Sequence, residues 1–177
     1  MCGPDRASGE ASGGCKGVRS LSRAFVKDDD PTGGAAVLPD RPISPHPNLV
    51  TRRGLRQIEE QVASFERELA DPETGPEAQD RAARELRYWS ARLATARLEA
   101  PPATPAEVRF GTAVTVLGGD GRQHRYTIVG EDEADPDSGR IAWTSPVARA
   151  LLGAEEGELR RLPRGEVEIM AVGAAAE

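Results

Sequence analysis

Residues 55–76 read LRQIEEQVASFERELADPETGP, and this stretch decides the fold. Leu55, Ile58, Val62, Phe65 and Leu69 recur at alternating intervals of three and four, which places all five on one helical stripe. Asp71-Pro72-Glu73-Thr74-Gly75-Pro76 then brings two prolines and a glycine, which a continuous helix does not carry. Beyond this breaker Ala82, Leu86, Trp89, Leu93, Ala96 and Ala100 repeat the same spacing. Two stripes of similar length joined by a short breaker bury their apolar faces against each other, so the pattern predicts an antiparallel helical hairpin over 48–100. At about 1.5 Å per residue each arm is roughly 28 to 35 Å long.

Upstream, Thr51 is an expected N-cap, with Leu49 or Val50 able to staple onto the first turn. Residues 1–47 show neither helical nor strand periodicity over any useful window and are expected to be a disordered leader. Within it, Ser22-Arg23-Ala24-Phe25-Val26-Lys27 reads more like a natural beginning than Met1, so translation is expected to start near Val18 or Leu21 from a non-AUG codon. An intact mass from the native host decides that point. Cys2 and Cys15 lack metal-spaced partners and are expected to be free thiols.

Downstream, Pro101, Pro102 and Pro105 end the second helix and make a stiff linker over 101–106. From Glu107 the period becomes that of strands. Thr112 to Leu117, His124 to Val129 and Ile141 to Thr144 are separated by the turns Gly119-Asp120-Gly121 and Asp135-Pro136-Asp137-Ser138-Gly139, which predicts an antiparallel meander. Ser145-Pro146 caps a short helix ending at Gly153, and Leu159 to Leu162 with Val167 to Val172 complete the sheet. The fold class is therefore α+β: an N-terminal antiparallel helical hairpin, of coiled-coil type, followed by a small antiparallel β domain with one short helix over 107–173.

The net charge of −6 argues against an autonomous duplex-DNA binder, which needs dense Lys and Arg to displace counterions from phosphate. No run approaches the roughly 20 apolar residues of a membrane span, and no secretory core precedes the first helix, so a cytoplasmic protein is expected. His46 and His124 stand alone and suggest neither a ligand nor a base.

Three separated motifs carry a family resemblance: Val108-Arg109-Phe110-Gly111, then Tyr126-Thr127-Ile128-Val129-Gly130-Glu131-Asp132-Glu133-Ala134-Asp135-Pro136, then Ser145-Pro146-Val147-Ala148-Arg149-Ala150-Leu151-Leu152-Gly153. In order and spacing they resemble the C-terminal domain of the Gre transcript-cleavage factors, and Gly165-Glu166-Val167-Glu168-Ile169 and the Thr51-x-x-Gly54 helix start agree. The resemblance spans about 120 residues. It implies an FKBP-like domain that docks at the rim of the secondary channel of bacterial RNA polymerase, and a hairpin that projects down that channel. It also implies that Ser145, Pro146 and Arg149 dock on the polymerase, with Thr144 standing where the family carries Asp or Asn.

The tip departs from the family. Cleavage-competent members carry an acidic motif of the Asp-Leu-Ser-Glu-Asn-Ala-Glu-Tyr kind, whose carboxylates help hold a second Mg²⁺, and here Asp71-Pro72-Glu73-Thr74-Gly75-Pro76-Glu77 stands instead on a hairpin shorter by several turns. Losing ten residues per arm shortens the reach by about 15 Å, while Mg²⁺ needs oxygen ligands at roughly 2.1 Å. The shorter hairpin looks more like the regulator-of-nucleoside-diphosphate-kinase branch and other noncleaving secondary-channel binders. The expectation is thus a monomeric regulator of elongation with no catalytic residues, metal or cofactor of its own. The only metal involved would be the polymerase's Mg²⁺, and nucleic acid would be met only within the elongation complex.

Three site features carry two explanations each. Asp71, Glu73, Glu77 and Asp80 are either a solvated turn that favours the start of the second helix or an acidic tip near the polymerase metal. Arg81, Arg84, Arg87, Arg92 and Arg97 face Glu59, Glu60, Glu66 and Glu68 and are expected to make cross-helix ion pairs, with Arg84 and Arg87 as the candidates for RNA or channel contact. Asp132, Glu133, Asp135 and Asp137 lack calcium-hand spacing and are expected to be a solvated acidic loop. Three other activities compete with the noncatalytic regulator: stimulation of transcript cleavage, prolyl isomerisation by the FKBP-like fold, and a plain helical adaptor. Isomerisation requires a deep aromatic pocket, and Phe110, Tyr126 and Trp143 are the aromatics available to build one.

Overall fold

The computed structural model describes residues 39–175. The chain divides into two units, Met1–Ala35 and Ala36–Glu177, and the first lies outside the described residues together with the expectations for Cys2, Cys15 and the translation start.

The hairpin forms as its two stripes require. Helix α1 (Arg52–Ala70) starts at Thr51, whose Oγ1 accepts from the Gly54 N–H at 3.0 Å. Helix α2 (Pro76–Thr95) starts with proline at its first position, where no donor is needed. Ile58 and Ala82 are fully buried in the seam, and Leu55, Val62, Phe65, Leu69, Leu86, Trp89 and Leu93 are half-buried along it. The small Ala82 lets the arms approach.

The second arm ends earlier than its stripe predicts. Ala96 leaves the helical region with ψ 129°, and Arg97–Leu98 (β2) pairs in parallel with Leu49–Val50 (β1). The Arg97 N–H donates to Asn48 O at 2.8 Å and Glu99 N–H to Val50 O at 3.1 Å. Ala96 and Ala100 bury too little apolar surface to hold another turn, and Pro101 disfavours helical backbone in the residue before it.

The β domain is a five-stranded sheet in the order β5-β4-β3-β7-β6, built from β3 (Thr112–Gly118), β4 (Gln123–Val129), β5 (Arg140–Ala142), β6 (Leu159–Leu162) and β7 (Gly165–Ala174). Strand β3 is central and pairs antiparallel with β4 and, across a bulge at Thr115/Val116, with β7. The sheet is mixed, which corrects the antiparallel meander. Strand β5 runs parallel to β4, with Thr127 opposite Arg140 and Val129 opposite Ala142. The segment between them holds a 3-10 turn (Pro136–Ser138) and carries the chain back before it re-enters the sheet, so it is a crossover and not a hairpin turn.

One face of the sheet buries Val114, Val116, Ile128, Ile141, Val167 and Ile169 against α3 (Pro146–Leu151), which contributes Ala148 and Leu151. Ser145 caps α3, accepting from Ala148 N–H at 3.2 Å, as its sequence predicts.

Candidate functional site

The sequence-predicted docking residues sit together where β5 turns into α3. Thr144 Oγ1 donates to Glu131 Oε1 at 3.1 Å, Ser145 is committed to the helix cap, and Pro146 and Arg149 are exposed. Trp143 packs its ring on the core, with His46 edge-on at 5.9 Å. The loop therefore presents a proline and an arginine outward from a backbone fixed by its own hydroxyls.

The tip is a closed turn. Asp71 Oδ1 accepts from Glu73 N–H at 3.0 Å, Thr74 N–H donates to Asp71 O at 3.1 Å, and Thr74 Oγ1 donates to Glu68 O at 2.7 Å. Gln79 N–H then donates to Gly75 O at 2.9 Å and its side chain to Thr74 O at 3.1 Å. Asp71, Glu73 and Glu77 are exposed, with Asp71 spent on the turn itself. Among the described residues no group of three or more His, Cys, Asp or Glu is placed to hold a metal ion.

The arginines of α2 divide differently from the cross-helix pattern expected of them. Arg81 does bridge the arms to Glu68 at 2.5 Å, but Arg84 lies 3.7 Å from Glu85 on its own helix. Arg87 donates to Asp40 at 2.6 Å, and Arg41 reaches Glu85 at 2.8 Å while its guanidinium lies over the Tyr88 ring. These last contacts come from residues 39–47, which carry no helix or strand yet lie along α2 as an arm. The sequence reading placed that segment within the leader.

Arg92 is the largest fully buried side chain among the described residues and pairs with the β domain. Its Nε donates to Asp132 Oδ2 at 2.5 Å, and its Nη2 is 3.5 Å from Glu131 Oε2. Tyr88 OH donates to the other Asp132 oxygen at 2.6 Å, and Asn48 Nδ2 donates to Arg92 O at 2.7 Å. Burial and the bond to Asp132 push the Tyr88 phenol up to about 12. Next to this cluster, Glu133 is 6% exposed and its Oε2 accepts from Thr51 Oγ1 at 2.5 Å. Asp132 and Glu133 thus form part of a socket for the hairpin base, which corrects the solvated-loop expectation for these two, while Asp137 is exposed and the Asp135 side chain 44% exposed, as expected.

Two glycines permit the close approach. A Cβ on Gly54 would lie 2.7 Å from Glu133 Oε2, and one on Gly130 would lie 2.6 Å from Leu49 O. The socket residues Glu131, Asp132, Glu133 and Arg92 were not picked out as a unit from the sequence. The available signal was the acidic triplet itself, one glycine beyond β4, whose last two residues are buried.

Cavities border the socket. One is lined by Thr51, Arg53, Pro101, Gly111, Glu133 and Arg140, the other by Ile43, His46, Asn48, Thr95 and Arg97 among others. Phe110, Tyr126 and Trp143 line neither, because Phe110 is buried and the other two pack against the core. No helix among the described residues is long and apolar enough to cross a membrane.

Residues 103–173 match the family model described as transcription elongation factor, GreA/GreB, C-term. The chain is 37% identical over 111 residues to transcription elongation factor GreA of Desulfovibrio desulfuricans, covering 60% of this chain and 68% of that protein. It is 40% identical over 95 residues to transcription elongation factor GreB of Neisseria meningitidis serogroup A, covering 50% of this chain and 58% of the relative. Against GreA of Hyphomonas neptunium the match is 54% over 54 residues, 30% of this chain and 34% of the relative. The chain thus spans from about a third to about two thirds of the length of these relatives. Among solved structures, GreA factor homolog 1 (Gfh1) of Thermus thermophilus aligns at 20% identity and a TM-score of 0.35, over 72% of this chain and 99% of that one. A GreA/GreB factor from Nitrosomonas europaea aligns at 21% identity and a TM-score of 0.34, over 71% and 98%.

Proposed function

The chain belongs to the GreA/GreB family of transcription elongation factors, and on that premise we propose that it binds RNA polymerase at the secondary channel and regulates elongation without catalysis of its own. It does so in the cytoplasm as a monomer. The loop of Thr144, Ser145 and Pro146, with Arg149 one turn on, is the docking contact, and the hairpin approaches or enters the channel. The observation that carries this reading is the loop itself: Pro146 and Arg149 are exposed on a backbone pinned by the Ser145 cap and the Thr144 bond.

The absence of catalysis is argued from reach and from chemistry. The helices have 19 and 20 residues, so each is about 30 Å long. A second-metal role needs at least one free carboxylate at about 2.1 Å from the ion, in a geometry the protein holds in advance. Asp71 is committed to the tip turn, and Glu73 and Glu77 are exposed to solvent rather than held in a preformed geometry. Arg87, one of the two candidates for RNA contact, pairs with Asp40 of the arm and its side chain stays 58% exposed. A prolyl isomerase is disfavoured because the three aromatics of the β domain pack inward.

The test is transcript cleavage in purified backtracked elongation complexes, with a parallel competition against an authentic cleavage factor. Competition without cleavage is the expected outcome. Stimulated cleavage that disappears in Asp71→Ala or Glu73→Ala would establish the cleavage-stimulating alternative. A protein that neither stimulates cleavage nor competes would refute polymerase docking.

A further inference from the structure

One carboxylate joins three parts of the molecule. Glu131 Oε1 accepts from Thr144 Oγ1 at 3.1 Å and from Ser44 Oγ at 3.0 Å, while its Oε2 lies 3.5 Å from Arg92 Nη2. Thr144 immediately precedes Ser145 and Pro146, Ser44 belongs to the arm, and Arg92 belongs to α2. Its side chain is 22% exposed, so water competes weakly for these contacts.

We propose that Glu131 is a positioning residue for the docking loop and that Ser44 acts on the same loop through it, which makes the arm part of the polymerase-binding apparatus. The proposal rests on the docking role given to that loop under Proposed function. Threonine is stiff at χ1, so a bond to its hydroxyl fixes the backbone that carries it as well as the side chain. Glu131 can impose that constraint because it is itself held from behind: Arg92 is 1% exposed and anchored by Asp132. Ser44 donates to the same Glu131 oxygen that Thr144 reaches, so arm and loop share one acceptor. The arm is in turn seated by Arg41 on Glu85 and Tyr88, and by His46 on Trp143, the residue before Thr144. A loop ordered before binding loses less conformational freedom on docking, and the gain appears as affinity.

The experiment uses the full chain and reads two quantities. The first is amide hydrogen exchange of Ser145, which donates to Ala142 O, and Ala148, which donates to the Ser145 hydroxyl, in the free protein. The second is the concentration needed to displace a cleavage factor from polymerase. Glu131→Ala is expected to speed exchange at both amides severalfold and to weaken competition by about threefold to tenfold, the range set by freeing one or two side chains. Ser44→Ala shifts both in the same direction by less, and Glu131→Gln, which keeps an acceptor oxygen, stays within about twofold of wild type. Thr51→Ala is the control, because it loosens the hairpin base at Glu133 without touching Arg92, Glu131 or Thr144. If Thr51→Ala weakens competition as much as Glu131→Ala does, the effect is seam stability and the positioning role is overturned. Unchanged exchange in Glu131→Ala overturns it too, as does faster exchange with competition intact. If the wild-type protein does not compete at all, the docking reading falls, while the exchange arm still decides whether Glu131 holds the loop.

Discussion

Replacing Arg92 by methionine isolates the charge at the hairpin base, because methionine keeps most of the apolar stem and removes only the guanidinium. The side chains of Arg92 and Asp132 are 2% and 12% exposed, so the pair belongs to the buried regime. Arg92→Met leaves Asp132 with the Tyr88 hydroxyl alone, beside Glu131, and strands two carboxylates next to each other. Removing one partner of a buried pair costs about 3–5 kcal/mol. For a chain of this size about 1 kcal/mol moves Tm by roughly 3 °C, so Tm falls by about 10–15 °C. The assay is urea unfolding followed by tryptophan fluorescence. The two tryptophans serve it well, since Trp89 reports the hairpin and Trp143 the β domain. In wild type their transitions coincide if the socket couples the parts, and in Arg92→Met the Trp89 transition moves first. The double variant Arg92→Met/Asp132→Leu removes the stranded carboxylate and recovers most of the loss. A single-variant loss below about 1 kcal/mol, or a double variant no more stable than the single, would refute the reasoning.

The glycines of the socket separate two kinds of clash. Gly130→Ala drives its Cβ against a backbone carbonyl at 2.6 Å and is expected to cost about 2–3 kcal/mol, whereas Gly54→Ala meets the end of a side chain and regains up to about 1 kcal/mol of helix propensity, so denaturant midpoints should rank Gly130→Ala well below Gly54→Ala. Thr51→Ala removes both the α1 cap and the donor to buried Glu133 and should cost about 2–3 kcal/mol, with Thr51→Ser near wild type in the same unfolding assay. The Tyr88 phenol sits at about 12 against an ordinary value of 10.0, so the folded state holds the proton more tightly. Its contribution is fully present below pH 10 and is lost as pH rises towards 12; tyrosinate absorbance should show one tyrosine titrating late, and Tyr88→Phe should abolish that step and flatten the alkaline stability loss.

The amphipathic stripes of residues 55–69 and 82–93 were legible because side chains three and four apart on a helix share a face whatever surrounds it. Thr51 as a cap and Ser145-Pro146 as a helix start were legible for the same local reason. The resemblance motifs singled out the loop proposed to dock, and Thr144 to Pro146 and Arg149 fall within six residues where β5 turns into α3. The charged residues were legible only in part, since Arg81 bridges the arms as expected and the others do not. Arg92 carries the same side chain as Arg81 and falls on the same helix, yet one is buried against Asp132, 40 residues away, and the other bridges to Glu68. Periodicity says which way a side chain faces, and a charge takes its partner from chain that is distant in sequence.

By itself, then, the sequence determined two apposed helices with a tight tip, a strand-rich domain with one capped helix, and the loop to examine, because each depends on interactions within a few residues. Tertiary structure decided the rest. The parallel placement of β5 depends on how a ten-residue crossover, Gly130 to Gly139, folds back on the sheet. The end of α2 depends on Leu49–Val50 offering a pairing edge to Arg97–Leu98. The acidic triplet became a socket because α2 brings a buried guanidinium to it, and an arm outside any regular element became ordered because Glu131, Arg87 and Tyr88 receive it. Each of these turns on desolvating a polar group, and only the assembled fold decides where water is excluded.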